Sequence, residues 1–247
     1  KNPSIKKEII KSFISYNQSP YQAKSKFYLG EQADHTTSIR LEILTNLIKE
    51  FDDDEELVIL IRYELLKNIE SCISDTYKKG NNHGLMVDKA VLDSIFTDEA
   101  IFSNAQHHIP FLINRVKCQL DSIFDENGFC KEHSISYQEY NLGIAFDLIS
   151  VMKKSQSRDF YNEVSLLECY FNKIKEASRE SLGFALKSDG TYITIGDSFS
   201  APKPFLLNTI FGNKNPTTAF HPESTRSGVF FNKTLGIAVF RNDNMHI

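Results

Sequence analysis

Three short stretches of this chain hold residues that can do chemistry. The first is Gly80-Asn81-Asn82-His83-Gly84, directly before what reads as a helix. A neutral amide and an imidazole at a helix start can hydrogen-bond a carboxylate, and the helix dipole favours the negative charge there. The same residues also suit an ordinary cap, with Asn82 as N-cap and Gly80 and Gly84 relaxing the turn. The second stretch is DENGFCKEHSISYQEYNLG, Asp125 to Gly143: a turn, then a helix start near His133 to Ser136. One reading gives Tyr137 a hydroxyl facing a cleft, close to His133 and Glu132. The other makes Tyr137, Tyr140 and Phe146 core or rim residues at helical spacing. The third, ADHTTSIR, carries Arg40, whose side-chain type is the usual bidentate partner of a carboxylate or sulfate. Asp34 or Thr36 in the same stretch can cap a helix, and Arg40 can equally be solvated.

The elements that must hold these residues follow from periodicity. From about residue 3 to 183 the pattern is helical. IKKEIIKSFISY, TSIRLEILTNLIKEF and DDDEELVILIRYELLKNIESCISDTY each repeat apolar residues at three- and four-residue steps, and the acidic start of the last suits a helix N-terminus. DEAIFSNAQHHIPFLINRVKCQLDSIF reads as one helix or two, with Pro110 marking a kink or a start. SYQEYNLGIAFDLISVMKK is helical. In NEVSLLECYFNKIKEASRESL, Val164, Leu167, Phe171 and Ile174 form one stripe. Short connectors and no intervening strand argue for antiparallel helical hairpins. After Gly183 the register changes. LKSDGTYITIGDS sets an Asp-Gly turn before the alternating TYITI, and RSGVFFNKTLGIAVFRND reads as two strands joined at NKTLG. The residues between, 199–225, rich in Pro, Asn, Ser and Phe, read as loop. The expectation is therefore residues 1–184 helical and residues 185–247 a linker with the opening strands of a sheet. Two or three strands alone are marginal, so the chain is expected to be a fragment.

Composition narrows the function classes. The 247 residues are 41% hydrophobic and 24% charged, with a net charge of −4, so no global basic field recruits nucleic acid or an acidic membrane. An anionic substrate must be met by local groups. No run approaches the roughly 18 apolar residues of a membrane span; the longest, Leu57 to Ile61, is far shorter. No stretch reads as a signal peptide, and the chain begins at Lys1 rather than Met, so residues are expected to precede it. Cys72, Cys118, Cys130 and Cys169 are widely spaced and read as buried free thiols, neither a zinc site nor a redox pair. His107-His108 lies mid-helix, where adjacent side chains diverge and cannot easily share a metal. The acidic run Asp52 to Glu56 reads as a solvated helix start. Asn17-Gln18-Ser19 and Asn232-Lys233-Thr234 match the glycosylation pattern, which often occurs by chance. Phosphate-loop, nucleophile-elbow and zinc-protease motifs are absent from the sequence, and no metal or cofactor is expected.

In order, DHTTSIR, NNHG, DENGFCKEHSISYQEY, SDGTYITIGDS and SGVFFNKTLGIAVFRND resemble motifs of the heparinase II/III-like polysaccharide lyases, which include the oligoalginate lyases. The resemblance spans roughly residues 30 to 243. It implies an (α/α) toroid followed by an antiparallel β-sandwich, here incomplete, and cleavage of uronic-acid polysaccharides by β-elimination, with periplasmic or secreted placement. By position it implies Asn82 and His83 at the substrate carboxylate and Tyr137 as the catalytic tyrosine, with Arg40, His133, Gln138 and Tyr140 as sugar contacts. The chain departs from the family in one respect. The family usually adds a catalytic histidine from a His-rich stretch soon after the first strands, whereas this chain ends at NMHI, and His246 does not sit in such a motif.

The implied chemistry accounts for the residue types. Removing the C5 proton of a uronate builds a second negative charge beside a carboxylate, and preorganised donors such as the Asn82 amide and His83 offset it by roughly 3–4 kcal/mol each in comparable sites. A base takes the C5 proton and an acid protonates the leaving oxygen at C4. A phenol titrates near 10 in water and acts as base near neutrality only where cations lower that value; His83, His133 and Arg40 are the candidates. Two alternatives stand beside this carbon–oxygen lyase. One is a glycoside hydrolase on a helical toroid, needing two carboxylates such as Glu132 and Asp88 across a cleft. The other is a non-catalytic protein that binds acidic carbohydrate. Heparan-like, alginate-like and capsular polymers all fit as substrates, and the sequence leaves the oligomeric state open.

Overall fold

The computed structural model describes residues 3–17, 34–51, 53–73, 80–154, 160–187, 189–212, 228–242 and 245–246. Among these the chain is mainly helical and ends in a small antiparallel sheet. The helices are α1 (Pro3–Asn17), α2 (Asp34–Glu50), α3 (Glu55–Ile73), α4 (Asn82–Thr97), α5 (Glu99–Ala105), α6 (Ile109–Ile123), α7 (Ile135–Lys154), α8 (Tyr161–Ala185) and α9 (Pro204–Phe211), and the strands are β1 (Gly228–Asn232), β2 (Ile237–Asn242) and β3 (Met245–His246). Two compact units divide the chain. One comprises Lys1–Lys79, His83–Val116 and Val151–Phe160, the other Gly80–Asn82, Lys117–Ser150 and Tyr161–Ile247. The change from helix to strand near residue 185 thus falls inside the second unit.

In the first unit α3 packs against α1, α2 and α5. Leu57, Ile61, Leu65 and Ile69 repeat every four residues along α3 and are buried, as are Leu41, Leu44 and Ile48 of α2 and Leu85, Leu92 and Ile95 of α4. Asp54 Oδ1 accepts the Leu57 N–H at 3.2 Å and so caps α3. Asp54 and Glu56 also hold Lys7 of α1 at 2.9 and 3.3 Å. The acidic run therefore does more than face solvent, although Asp52 lies outside the described residues.

Polar groups inside this unit are paired. Thr45 and Ser94 share a buried hydroxyl bond of 2.8 Å. Asp88 is fully buried on α4, and Arg115 meets it with two guanidinium nitrogens while donating to the Cys72 carbonyl at 2.9 Å. A buried carboxylate needs such a partner, since desolvating it alone costs several kcal/mol. Arg62 likewise makes two bonds to Asp98, of 3.0 and 2.7 Å, and Asp98 caps α5 through the Ile101 N–H. Pro110 marks a helix start rather than a kink: it is the second residue of α6. His107 and His108 do not lie mid-helix. They form, with Gln106, a 3-10 turn between α5 and α6, and their rings sit 3.8 Å apart.

The second unit is organised by the turn after α6. Asp125 Oδ1 accepts the N–H groups of Asn127 and Phe129 at 2.9 and 2.8 Å. Gly128 adopts φ 67 and lies so close to α8 that an added Cβ would fall 2.6 Å from the Ser178 nitrogen. Its carbonyl accepts from Gln138 Nε2 at 3.1 Å and from Ser178 Oγ at 2.6 Å. Val164, Leu167, Phe171 and Ile174 of α8 are all buried, as their spacing predicts.

The strands at NKTLG pair antiparallel, with Val229 opposite Phe240 and Phe231 opposite Ala238. Gly236 takes the left-handed turn position, φ 66, and Asn232 Oδ1 accepts the Leu235 N–H. The inner face of the hairpin rests on aromatic rings: Phe230 lies 6.0 Å from Phe129 and 5.4 Å from Phe184. Asn232 is fully buried and donates to Asp125, so its amide is committed and no glycan can be attached there while the fold persists. Side-chain placement at Asn17 lies outside the described residues.

Three further sequence expectations are corrected. TYITI is not a strand; it contributes only the bridge from Tyr192 to Leu186. Its alternation reflects a buried Tyr192 in an extended segment that turns at Gly196, φ 58, and fastens to α7 instead of to a sheet. The expected long loop contains α9, with Pro204 in its first turn and Gly212 as left-handed cap at φ 73. Finally, only Cys72 and Cys130 are buried thiols, whereas Cys118 and Cys169 are exposed.

Gly128 gives the sharpest stability test. Gly128→Ala should destabilise the protein by about 2–5 kcal/mol, combining a left-handed backbone penalty with overpacking against α8. Chemical denaturation measures this directly. A loss below 0.5 kcal/mol, on the order of a neutral surface change, would mean that the turn is not seated as described.

Candidate functional site

The candidate residues sit at two helix starts and on α2. Asn82 is the first residue of α4 and is buried, with 7% of its surface exposed; His83, next to it in the first turn, is half-buried. Consecutive helical residues diverge by about 100°, so the amide and the imidazole leave the helix on different bearings. Gly80 approaches Ser122: an added Cβ would lie 3.0 Å from its Oγ. Gly80 and Asn82 belong to the unit that contains Tyr137, and His83 belongs to the other. Arg40, half-buried on α2, has Nη1 3.5 Å from Asn68 Oδ1.

The start of α7 brings together the remaining candidates. His133 is exposed and takes a left-handed backbone, φ 56, immediately before the helix. Ser134 Oγ accepts the Tyr137 N–H at 3.3 Å, a helix cap. Tyr137 and Tyr140, three residues apart, are both half-buried. Gln138 is different. It is fully buried, and its amide donates to Ser181 Oγ at 2.6 Å as well as to the Gly128 carbonyl. It braces the turn from inside and has no surface to offer a sugar.

A strap over residues 195–206 runs along this helix, which the sequence reading did not anticipate. Ser198 Oγ accepts the Ile135 N–H at 2.8 Å. Ser136 Oγ accepts the Phe199 N–H at 2.5 Å. Glu139 Oε1 accepts the Lys203 N–H at 2.7 Å. Gly143 receives Leu206, whose side chain would stand 3.1 Å from an added Cβ. At the near end Gly196 has no room for a Cβ, which would fall 2.6 Å from the His133 carbonyl oxygen. The contact positions 136, 139 and 143 follow helical spacing, so one stripe of α7 carries the whole strap.

Beneath the strap lies Glu139, buried at 3% exposure. Burial pushes its carboxyl up to about 7, against the opposing pull of the Lys203 N–H and the Lys203 charge. Tyr192 is fully buried with no hydrogen-bond partner for its hydroxyl, and burial together with the nearby Glu139 charge drives its phenol well above the ordinary value. Burial also raises the Cys130 thiol to about 11, which leaves it an inert packing group near Asn141. Glu139 escaped the sequence reading because a lone glutamate in a helix reads as solvated.

For the hydrolase alternative, Asp88 is sealed in its ion pair with Arg115, while Glu132 is exposed. Among the described residues no group of three or more His, Cys, Asp or Glu side chains is arranged to hold a metal ion, and no helix is long and apolar enough to cross a membrane. No family model, curated protein or solved structure matches the chain.

Glu139 makes stability depend on pH with a definite sign. Its folded value, about 7, exceeds the ordinary 4.5. The folded state therefore holds its proton longer than the unfolded state does, so this contribution is full below about pH 4.5 and is lost as pH rises to about 7. Glu139→Gln keeps an acceptor for the Lys203 N–H and removes the charge. It should be more stable than the parent above pH 7 by roughly 2–4 kcal/mol, and should flatten the pH 4.5–7 segment of the stability profile. Equal pH profiles for the two proteins would show that Glu139 is solvated.

Proposed function

We propose that this chain is part of a polysaccharide lyase of the heparinase II/III-like kind, cleaving uronic-acid polysaccharide by β-elimination. On this reading the helices belong to an (α/α) toroid and the hairpin opens a β-sandwich. The observation that carries it is the start of α7. There Tyr137 is half-buried in a first turn fixed from one side by the Ser134 cap and from the other by the strap, with His133 exposed beside it. The backbone that carries this phenol is fixed in advance, so its turn need not be ordered when substrate binds.

The roles follow from the chemistry. The Tyr137 oxygen takes the C5 proton, the electron pair left at C5 forms a C4–C5 double bond as the C4–O bond breaks, and the same oxygen returns the proton to the departing C4 oxygen. The exposed His133, on the turn before α7, is a further sugar contact. By sequence position alone, the resemblance would put His83 and the start of α4 at the substrate carboxylate. Asn82 contributes only through the small surface it keeps. Tyr140 and Arg40 serve as sugar contacts, and the reading needs nothing from Gln138, which works inside the fold.

The test is an absorbance assay for unsaturated uronate products over heparan, alginate and bacterial capsular polymers. Tyr137→Phe should lower the rate by about 10²–10⁴-fold with an unchanged thermal melt. Normal cleavage by that variant removes Tyr137 from the mechanism. Products that have gained water indicate a hydrolase, and binding of acidic oligosaccharide without turnover indicates a carbohydrate-binding protein. Either result overturns the lyase reading.

A further inference from the structure

We infer that Asn127–Gly128 is a site of spontaneous deamidation that folding closes: the seated turn keeps the amide from cyclising, and a chain that has cyclised while unfolded cannot rebuild the turn. The sequence supplies the chemistry. Asn127 and Gly128 form the only Asn-Gly pair in the 247 residues. A glycine after asparagine has no side chain to hinder attack of its nitrogen on the amide carbon. Asn127 is exposed, so water and base reach its side chain.

The step balances with water as the only co-reactant. The Gly128 nitrogen gives its proton to a solvent base and bonds to Asn127 Cγ. The side-chain nitrogen leaves as ammonia, and a cyclic imide remains. Water then adds at one of the two imide carbonyls. Addition at Cγ breaks the Cγ–N bond and yields aspartate on the ordinary backbone. Addition at the former backbone carbonyl breaks its own bond to nitrogen and yields isoaspartate. There the main chain runs through Cβ and Cγ and is longer by a single carbon.

The folded turn restrains the atoms of that step. The Gly128 N–H donates to the Asp125 carbonyl at 3.0 Å, so the attacking nitrogen is engaged. The Asn127 N–H is tied to Asp125 Oδ1 at 2.9 Å, so the peptide between them is held at both ends. The Gly128 carbonyl is taken by Gln138 and Ser178, and its Cα lies against α8 at φ 67. Cyclisation therefore waits for the turn to open, and its rate scales with the opened fraction. The same contacts sort the products. Aspartate at 127 alters only an exposed side chain. Isoaspartate inserts a carbon between the N–H groups of residues 127 and 129, which Asp125 Oδ1 holds together, where even a Cβ on Gly128 would fall 2.6 Å from the Ser178 nitrogen. The Asp189–Gly190 turn offers a contrast. Gly190 is also left-handed, φ 78, yet an added Cβ there meets nothing within 4 Å. A chain modified at 127 while unfolded is thus lost to the native state irreversibly.

The experiment ages the full chain in mildly alkaline buffer, folded and in guanidinium chloride. Residue 127 is followed by peptide mass spectrometry, and isoaspartate is scored by methyl transfer from an isoaspartyl methyltransferase. Conversion at 127 should be at least about tenfold slower in the folded chain, as for a turn open less than about a tenth of the time. The denaturant is then diluted out. The fraction that fails to refold, relative to unaged chain, should rise in step with isoaspartate, and the refolded fraction should be depleted of it. Asn127→Asp mimics the other product and should melt close to the parent. Asn127→Gln and Asn127→Ala lack an amide placed to close on Gly128, so they should keep their refolding yield through the same ageing. Equal conversion in folded and unfolded chains, or none in either, overturns the protection. Isoaspartate-bearing chains that refold with the parent's melt, or glutamine and alanine variants that lose yield as fast as the parent, overturn the claim that the turn rejects the product.

Discussion

The second unit depends on one close approach: the Gly128 peptide laid against α8, with no room for a side chain between them. The approach is possible only because the surrounding polar groups are satisfied. The Asp125 carboxylate takes two turn N–H groups and the Asn232 amide, and the Gly128 carbonyl takes Gln138 and Ser178. Gln138, Ser178 and Asn232 come from three different elements, so the turn joins α7, α8 and β1 at one place. Buried networks of this kind contribute when complete and cost heavily when one member is missing. The same turn leads into α7 within ten residues, so whatever holds Gly128 also sets where Tyr137 begins its helix.

The two helix starts differ in what they offer an anion. At α7 the first-turn N–H groups of Ile135 and Tyr137 are taken by the hydroxyls of Ser198 and Ser134. Both of these donors are therefore committed within the fold. At the α4 start the His83 imidazole lies on the first turn next to the buried Asn82.

Much of this was legible in the sequence, and the exceptions share a cause. The α8 stripe of Val164, Leu167, Phe171 and Ile174 reads correctly because burial follows the helical period. The hairpin at NKTLG reads correctly because its turn chemistry is local. Gln138 was placed outside, yet it lies inside because its partners Gly128 and Ser181 are ten and 43 residues away, beyond any local pattern. TYITI alternates like a strand because any extended segment with one buried face does so. The α9 helix carried its own signals, Pro204 at the start and Gly212 past the end, but they were hidden in a stretch whose composition suggested loop. The strap itself had no sequence signature, since it is made by Ser136 and Glu139 accepting backbone N–H groups 63 and 64 residues away.

Three of the buried carboxyls, Asp88, Asp125 and Glu139, differ in the donors that meet them. Asp88 has a guanidinium, which brings both charge and a forked pair of N–H groups. Asp125 has three N–H donors and no cation among its hydrogen-bond partners. Glu139 has one backbone N–H, with the Lys203 charge acting only as the smallest of its influences. At Glu139 desolvation prevails over the Lys203 N–H and the Lys203 charge, pushing the carboxyl up to about 7. The strap is thus clamped to α7 by the least satisfied acid of the three. Its bond to Lys203 is charge-assisted above neutrality and an ordinary neutral bond below it. The segment that displays Phe199, Lys203 and Phe205 is accordingly held by backbone geometry at Ser136 and Gly143 at every pH, and by Glu139 in two strengths.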